Sequence, residues 1–134
     1  MSADNDRRSV LGAVGIGVSD LARSRDFYTR VVGMKELTTF TLPHMDEVVV
    51  GFPGRSRSAL VLMHWTDGSE RSYADLPIKI VCYVPDPAEL AARIRADGLE
   101  IVREPAPVAA LDGAVVGFGK DPDGYLLEIL HAPA

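Results

Sequence analysis

Short runs of alternating apolar and polar residues fill most of this chain, and two longer runs carry helical spacing instead. Val14, Ile16 and Val18 alternate with small residues, the pattern of a strand with one buried face. Ser19-Asp20 supplies a helix N-cap, and Leu21, Arg25, Tyr28 and Val32 recur at the spacing of one helical face before Gly33 stops the helix. Strands are predicted over Glu36–Leu42, Glu47–Phe52 and Ala59–Trp65, with turns at Pro43-His44 and Pro53-Gly54. The order then recurs. Ile78–Val84 reads as a strand, and Asp86 caps a helix over Pro87–Ala96 with proline at its first position and Gly98 at its end. Glu100–Arg103, Ala114–Phe118 and Tyr125–His131 follow as strands, the last behind the turn Asp121-Pro122-Asp123-Gly124.

The two halves also share residues at one offset. Val49-Val50-Gly51-Phe52 recurs as Val115-Val116-Gly117-Phe118, 66 positions later, and Val18, Asp20, Ala22 and Leu60 find identical partners in Val84, Asp86, Ala88 and Leu126. Two copies make related modules rather than a solenoid, which needs three or more. The reading is an α+β fold, βαβββ twice, in a single domain over 1–134. Module 1 covers about 11–65, the polar linker 66–77, and module 2 about 78–131.

Composition narrows the function classes. The chain has 134 residues, 47% hydrophobic and 25% charged, enough to bury a core without metal or disulfide staples. A single cysteine, Cys82, excludes an internal disulfide framework and a cysteine-rich zinc site. Fourteen Lys+Arg against 19 Asp+Glu give a net charge of −5, which argues against nucleic acid. The opening MSADNDRRSV has no apolar signal core, and the run Ala59–Met63 is far short of a membrane span. The expectation is a cytoplasmic protein with neither nucleic acid nor membrane as partner.

The segments Val18-Ser19-Asp20-Leu21 with Ser24 and Asp26-Phe27-Tyr28, Val32-Gly33-Met34, and the closing Asp121-Pro122-Asp123-Gly124-Tyr125 with Glu128 carry a resemblance. Over about residues 11–131 the chain resembles the vicinal oxygen chelate superfamily, the glyoxalase/bleomycin-resistance/dioxygenase group. The resemblance implies two βαβββ modules forming a cupped mixed sheet. It also implies a homodimer that closes each cup, with a linker long enough for module exchange. Members that hold a metal use one inward residue on each of the first, fourth, fifth and eighth strands. By motif alignment and the offset of 66, those positions are Ala13, Leu62, Lys79 and Glu128. Family ligands are typically His, Glu or Gln, whereas Ala13 and Leu62 offer no donor and Lys79 would present an ammonium. One donor is short of the usual three, so no metal and no other cofactor is expected.

Strand alternation places Leu60, Leu62 and His64 on one face, lining the cup with Ala13, Gly15, Gly17, Lys79, Val81, Tyr83, Leu126, Glu128 and Leu130. Val14, Ile16, Val18, Ile78, Ile80, Cys82 and Val84 would pack under the helices, leaving Cys82 an inert core thiol. The expected ligand-binding set is Ala13, Gly15, Leu62, His64, Trp65, Lys79, Tyr83 and Glu128. Lys79 either replaces the metal's charge beside Glu128 or simply neutralises a buried carboxylate. Gly15 and Gly17 leave an open wall, or else mark a strand bend. His64 paired with Glu128 is the route to a displaced metal site, while His44 and His131 read as structural or solvated. Two function classes follow. One is a metal-independent protein that binds a mostly apolar small molecule, the acidic balance suiting a cationic one. The other is a cofactor-free isomerase or lyase, in which Glu128 or His64 moves protons and Lys79 stabilises an oxyanion. A metal-dependent lyase or dioxygenase would need the displaced site.

Overall fold

The computed structural model describes residues 9, 11–54, 58–73 and 76–132. Eight strands and two helices follow in the order β1 (Ala13–Gly17), α1 (Leu21–Asp26), β2 (Lys35–Thr41), β3 (Met45–Gly51), β4 (Ala59–Trp65), β5 (Lys79–Val84), α2 (Pro87–Ala96), β6 (Ile101–Val108), β7 (Ala114–Lys120) and β8 (Leu126–His131). Both helices start on an aspartate. The Arg23 N–H donates to Asp20 Oδ1 and the Glu89 N–H to Asp86 Oδ1, each at 3.1 Å, satisfying donors that have no partner within the helix.

The first helix differs from its sequence pattern. After Asp26 it widens into a π-turn over Phe27–Val31, where the Val32 N–H reaches the Phe27 carbonyl at 3.0 Å. The extra residue in that turn brings Phe27, Tyr28, Val31 and Val32 all into the core. Arg25, placed on the buried face by regular spacing, is exposed, and Ser24 is buried instead. Gly33 then turns the chain at φ +98°, a conformation that favours glycine.

The strands form two four-stranded sheets, ordered β1-β4-β3-β2 and β5-β8-β7-β6, with no ladder between them among the described residues. In each the first strand runs parallel to the fourth, and the other pairs are antiparallel. β6 continues to Val108, beyond its expected end at Arg103. Pro105 and Pro107 fit there because β6 is an edge strand whose ladder shifts register twice. One face of each sheet covers a common core. Ile16, Leu60 and Leu62 enter it from the first sheet, with Val18 just past the end of β1, and Cys82, Val84, Leu127 and Ile129 from the second. Phe27, Tyr28, Leu90 and Ile94 fill it from the helical segments. Val14 was expected under the helices but stands 53% exposed.

Polar contacts tie the halves together at the closing turn. Asp121, 1% exposed, accepts from the Tyr28 hydroxyl at 2.7 Å and from the N–H groups of Asp123 and Tyr125 at 3.0 and 2.8 Å. Asp123 accepts from the Ser19 N–H and hydroxyl, and the Tyr125 hydroxyl donates to the Gly17 carbonyl at 2.6 Å.

Ladder partners redefine the repeat. Ala13 lies opposite Ala59, but Lys79, 66 positions after Ala13, lies opposite Leu126, which is 67 after Ala59. Val50 lies opposite Leu60, whereas Gly119, 69 positions after Val50, faces Leu127. The duplicated VVGF is therefore out of structural register. A slip of one residue turns a side chain to the other face of its sheet. Leu62, expected in the cup, is accordingly 0% exposed in the core, and Leu60 joins it. The residue equivalent to Glu128 is Val61, which faces Gly15 as Glu128 faces Val81.

Candidate functional site

The second sheet turns Lys79, Val81 and Tyr83 of β5 outward, beside the half-buried Leu126, Glu128 and Leu130 of β8. Lys79 Nζ donates to Glu128 Oε1 at 2.7 Å. The lysine side chain is 50% exposed and the glutamate only 14%. Val81 and Phe118 flank Glu128 as its cross-strand neighbours, so one ammonium faces a carboxylate set between apolar side chains. With one partner half in water, the pair contributes modestly to stability, of order 0–1 kcal/mol. Its chemical content is a fixed carboxylate with a cation beside it.

The first sheet's open face carries Ala13, Gly15 and Gly17 beside Val61, Met63 and Trp65. A Cβ added to Gly15 would lie 3.0 Å from Met63 Sδ, and one on Gly17 would lie 3.1 Å from both Trp65 and Tyr73. The glycines thus make room for the protein's own side chains, rather than marking a bend or an empty wall. Trp65 and Leu62 have opposite parity on one strand, a signal that could have excluded Leu62 and pointed to Val61 and Met63. Phe118 and Tyr73 needed the ladder and the loop path, neither visible in sequence periodicity.

His64 shares the buried parity of Leu62. Its Nδ1 lies 3.0 Å from the Val18 carbonyl, so it is turned away from the open face and does not pair with Glu128. His44 and His131 are exposed at strand ends. Among the described residues no three His, Cys, Asp or Glu gather as a metal cluster. Cys82 is buried, and desolvation pushes its thiol up to about 12. At the four positions that the resemblance implies for a metal, with the ladder putting Val61 in place of Leu62, stand Ala13, Val61, Lys79 and Glu128. This set offers one carboxylate, already bonded to an ammonium, and does not fit a divalent ion.

The comparisons agree with this architecture. The chain is 32% identical over 121 residues to the lactoylglutathione lyase of Escherichia coli O157:H7, covering 85% of this chain and 86% of that one. It superposes on the trypanothione-dependent glyoxalase I of Leishmania major with a TM-score of 0.76 at 29% identity, covering 92% and 87% of the two chains. Against glyoxalase I from Zea mays the TM-score is 0.78 at 28% identity, and the chain spans only 44% of the maize protein. The model of the Glyoxalase/Bleomycin resistance protein/Dioxygenase superfamily matches residues 10–129, and the chain belongs to that superfamily.

Proposed function

We propose that this protein binds a small, mostly apolar organic molecule over the Lys79–Glu128 pair without a divalent ion. One observation carries the reading: the Lys79 ammonium occupies hydrogen-bonding distance of Glu128 where a metal would need a donor. Val81, Tyr83 and Phe118 supply apolar surface around a polar pair, the composition of a small-molecule site. Each open face is half a cup, and a homodimer that sets one against the other belongs to the same proposal, as does a cytoplasmic location. No helix is long and apolar enough to cross a membrane among the described residues. The test is titration calorimetry on chelator-treated protein against a panel of apolar compounds. Binding should survive chelation, and Lys79→Met should weaken it about tenfold while stability moves by no more than about 1 kcal/mol. One tightly held metal ion per chain by elemental analysis would overturn the proposal, as would a Lys79→Met variant that changes stability alone.

The relatives named lactoylglutathione lyase favour a second reading, cofactor-free turnover. Glu128 would take a proton from the carbon beside a carbonyl and return it to the neighbouring carbon, while Lys79 donates to the oxyanion formed in between. His64, held by Val18 on the buried face, has no part in this step. Lactoylglutathione formation by chelated protein, abolished by Glu128→Gln, would establish turnover. Its absence alongside ligand binding would leave a binding protein.

A further inference from the structure

We infer that Arg71 is an anion-reading residue at the Trp65 end of the first open face, selecting ligands that carry a planar oxyanion such as a carboxylate. This rests on the small-molecule reading above and adds the ligand's charge. Trp65 ends β4 on the open face, and the Arg71 guanidinium carbon stands 4.3 Å from the centre of its ring. A guanidinium seated over a ring can keep N–H groups free to grip a carboxylate through two parallel hydrogen bonds. Of its five N–H donors, one is engaged among the described residues, Nη2 to Ser69 Oγ at 3.3 Å.

The other arginines invite comparison. Arg30, Arg93 and Arg95 each bridge a carboxylate; among the described residues Arg71 forms no ion pair, as Arg23, Arg25 and Arg103 form none, but of these four it is the one seated over an aromatic ring. Asp67 lies on the same loop, and its carboxyl is held below its ordinary value first by the Ser69 hydroxyl and N–H, which both donate to Oδ1, and in smaller part by the Arg71 charge, yet Arg71 makes no hydrogen bond to it. The platform beneath Arg71 is fixed, because Trp65 and Tyr73 both close on the space above Gly17. A pre-positioned cation loses little side-chain freedom when an anion arrives. Locally this reverses the expectation of a cationic ligand drawn from the net charge of −5.

Trp65 is the sole tryptophan, so its emission reports on this site directly. Chelator-treated full-length protein is titrated with phenylacetate and with the neutral phenylacetamide, followed by Trp65 fluorescence and by calorimetry. The expected result is saturable binding with phenylacetate preferred about tenfold. Arg71→Gln should erase the preference, and Arg71→Lys should restore only part of it, because an ammonium keeps the charge but not the fork. An undiminished preference in Arg71→Gln overturns the inference. Equal binding of both probes by the unaltered protein also overturns it, and leaves the small-molecule reading standing. Failure of both probes to bind by either method overturns the two together.

Discussion

Burial raises the Asp121 carboxyl above its ordinary value of 3.8, and the hydrogen bonds from Tyr28, Tyr125 and Asp123 oppose that shift without cancelling it. The folded chain therefore holds this proton more tightly than the unfolded chain. Its contribution to stability is complete below 3.8 and is lost as pH rises through the raised folded value. Asp121→Asn should flatten that part of the stability curve in urea melts across mildly acidic pH. It should also lower stability by about 1–3 kcal/mol at neutral pH, because an amide nitrogen would replace an acceptor of the Tyr28 hydroxyl or a backbone N–H. An unchanged slope would assign the pH dependence to other groups. Cys82 gives a simpler readout. With its thiol pushed up to about 12 and buried, it should resist disulfide-exchange reagents until the protein unfolds, so labelling should track denaturant unfolding. Rapid labelling of the native protein would contradict the core placement.

Among the elements, β4 and α2 have the bounds their sequence pattern predicts, because capping, proline at the first helical turn and strand alternation are local signals. The π-turn after Asp26 is a response to packing and leaves no mark on a 3.6-residue pattern. Lys79, Tyr83, Ala13, Gly15 and Glu128 reach the open faces, since alternation within a single strand fixes them. Leu62 and His64 do not, because their parity was carried across the repeat at a constant offset while the ladders drift from 66 to 67 positions. Identity of short apolar motifs records composition; hydrogen-bond register is a tertiary property. A pair of substitutions tests this register. Leu62→Glu places a charge in the core and should cost several kcal/mol or prevent folding, whereas Val61→Glu faces outward and should change stability by about 1 kcal/mol or less. Chemical denaturation of the two variants decides it, and equal losses would refute the assignment.

At the scale of the molecule, both sheets spend one face on a common core and leave the other uncovered, with Val81, Tyr83 and Phe40 exposed. Apolar side chains left open on both sheets are what the closed-cup proposal would cover. Light scattering should accordingly give twice the 14.5 kDa chain mass, and a monomer across the micromolar range would count against the closed-cup proposal. The halves of one chain, in contrast, are joined by contacts that need no continuous backbone: Tyr28 on Asp121, Ser19 on Asp123 and Tyr125 on Gly17, over a shared apolar interior. Between Trp65 and Lys79 the described residues form neither helix nor strand. Made as two polypeptides severed near Gly68, it should reassemble on mixing, checked by co-elution of the two fragments, and ligand binding would then report whether two separately expressed fragments have met.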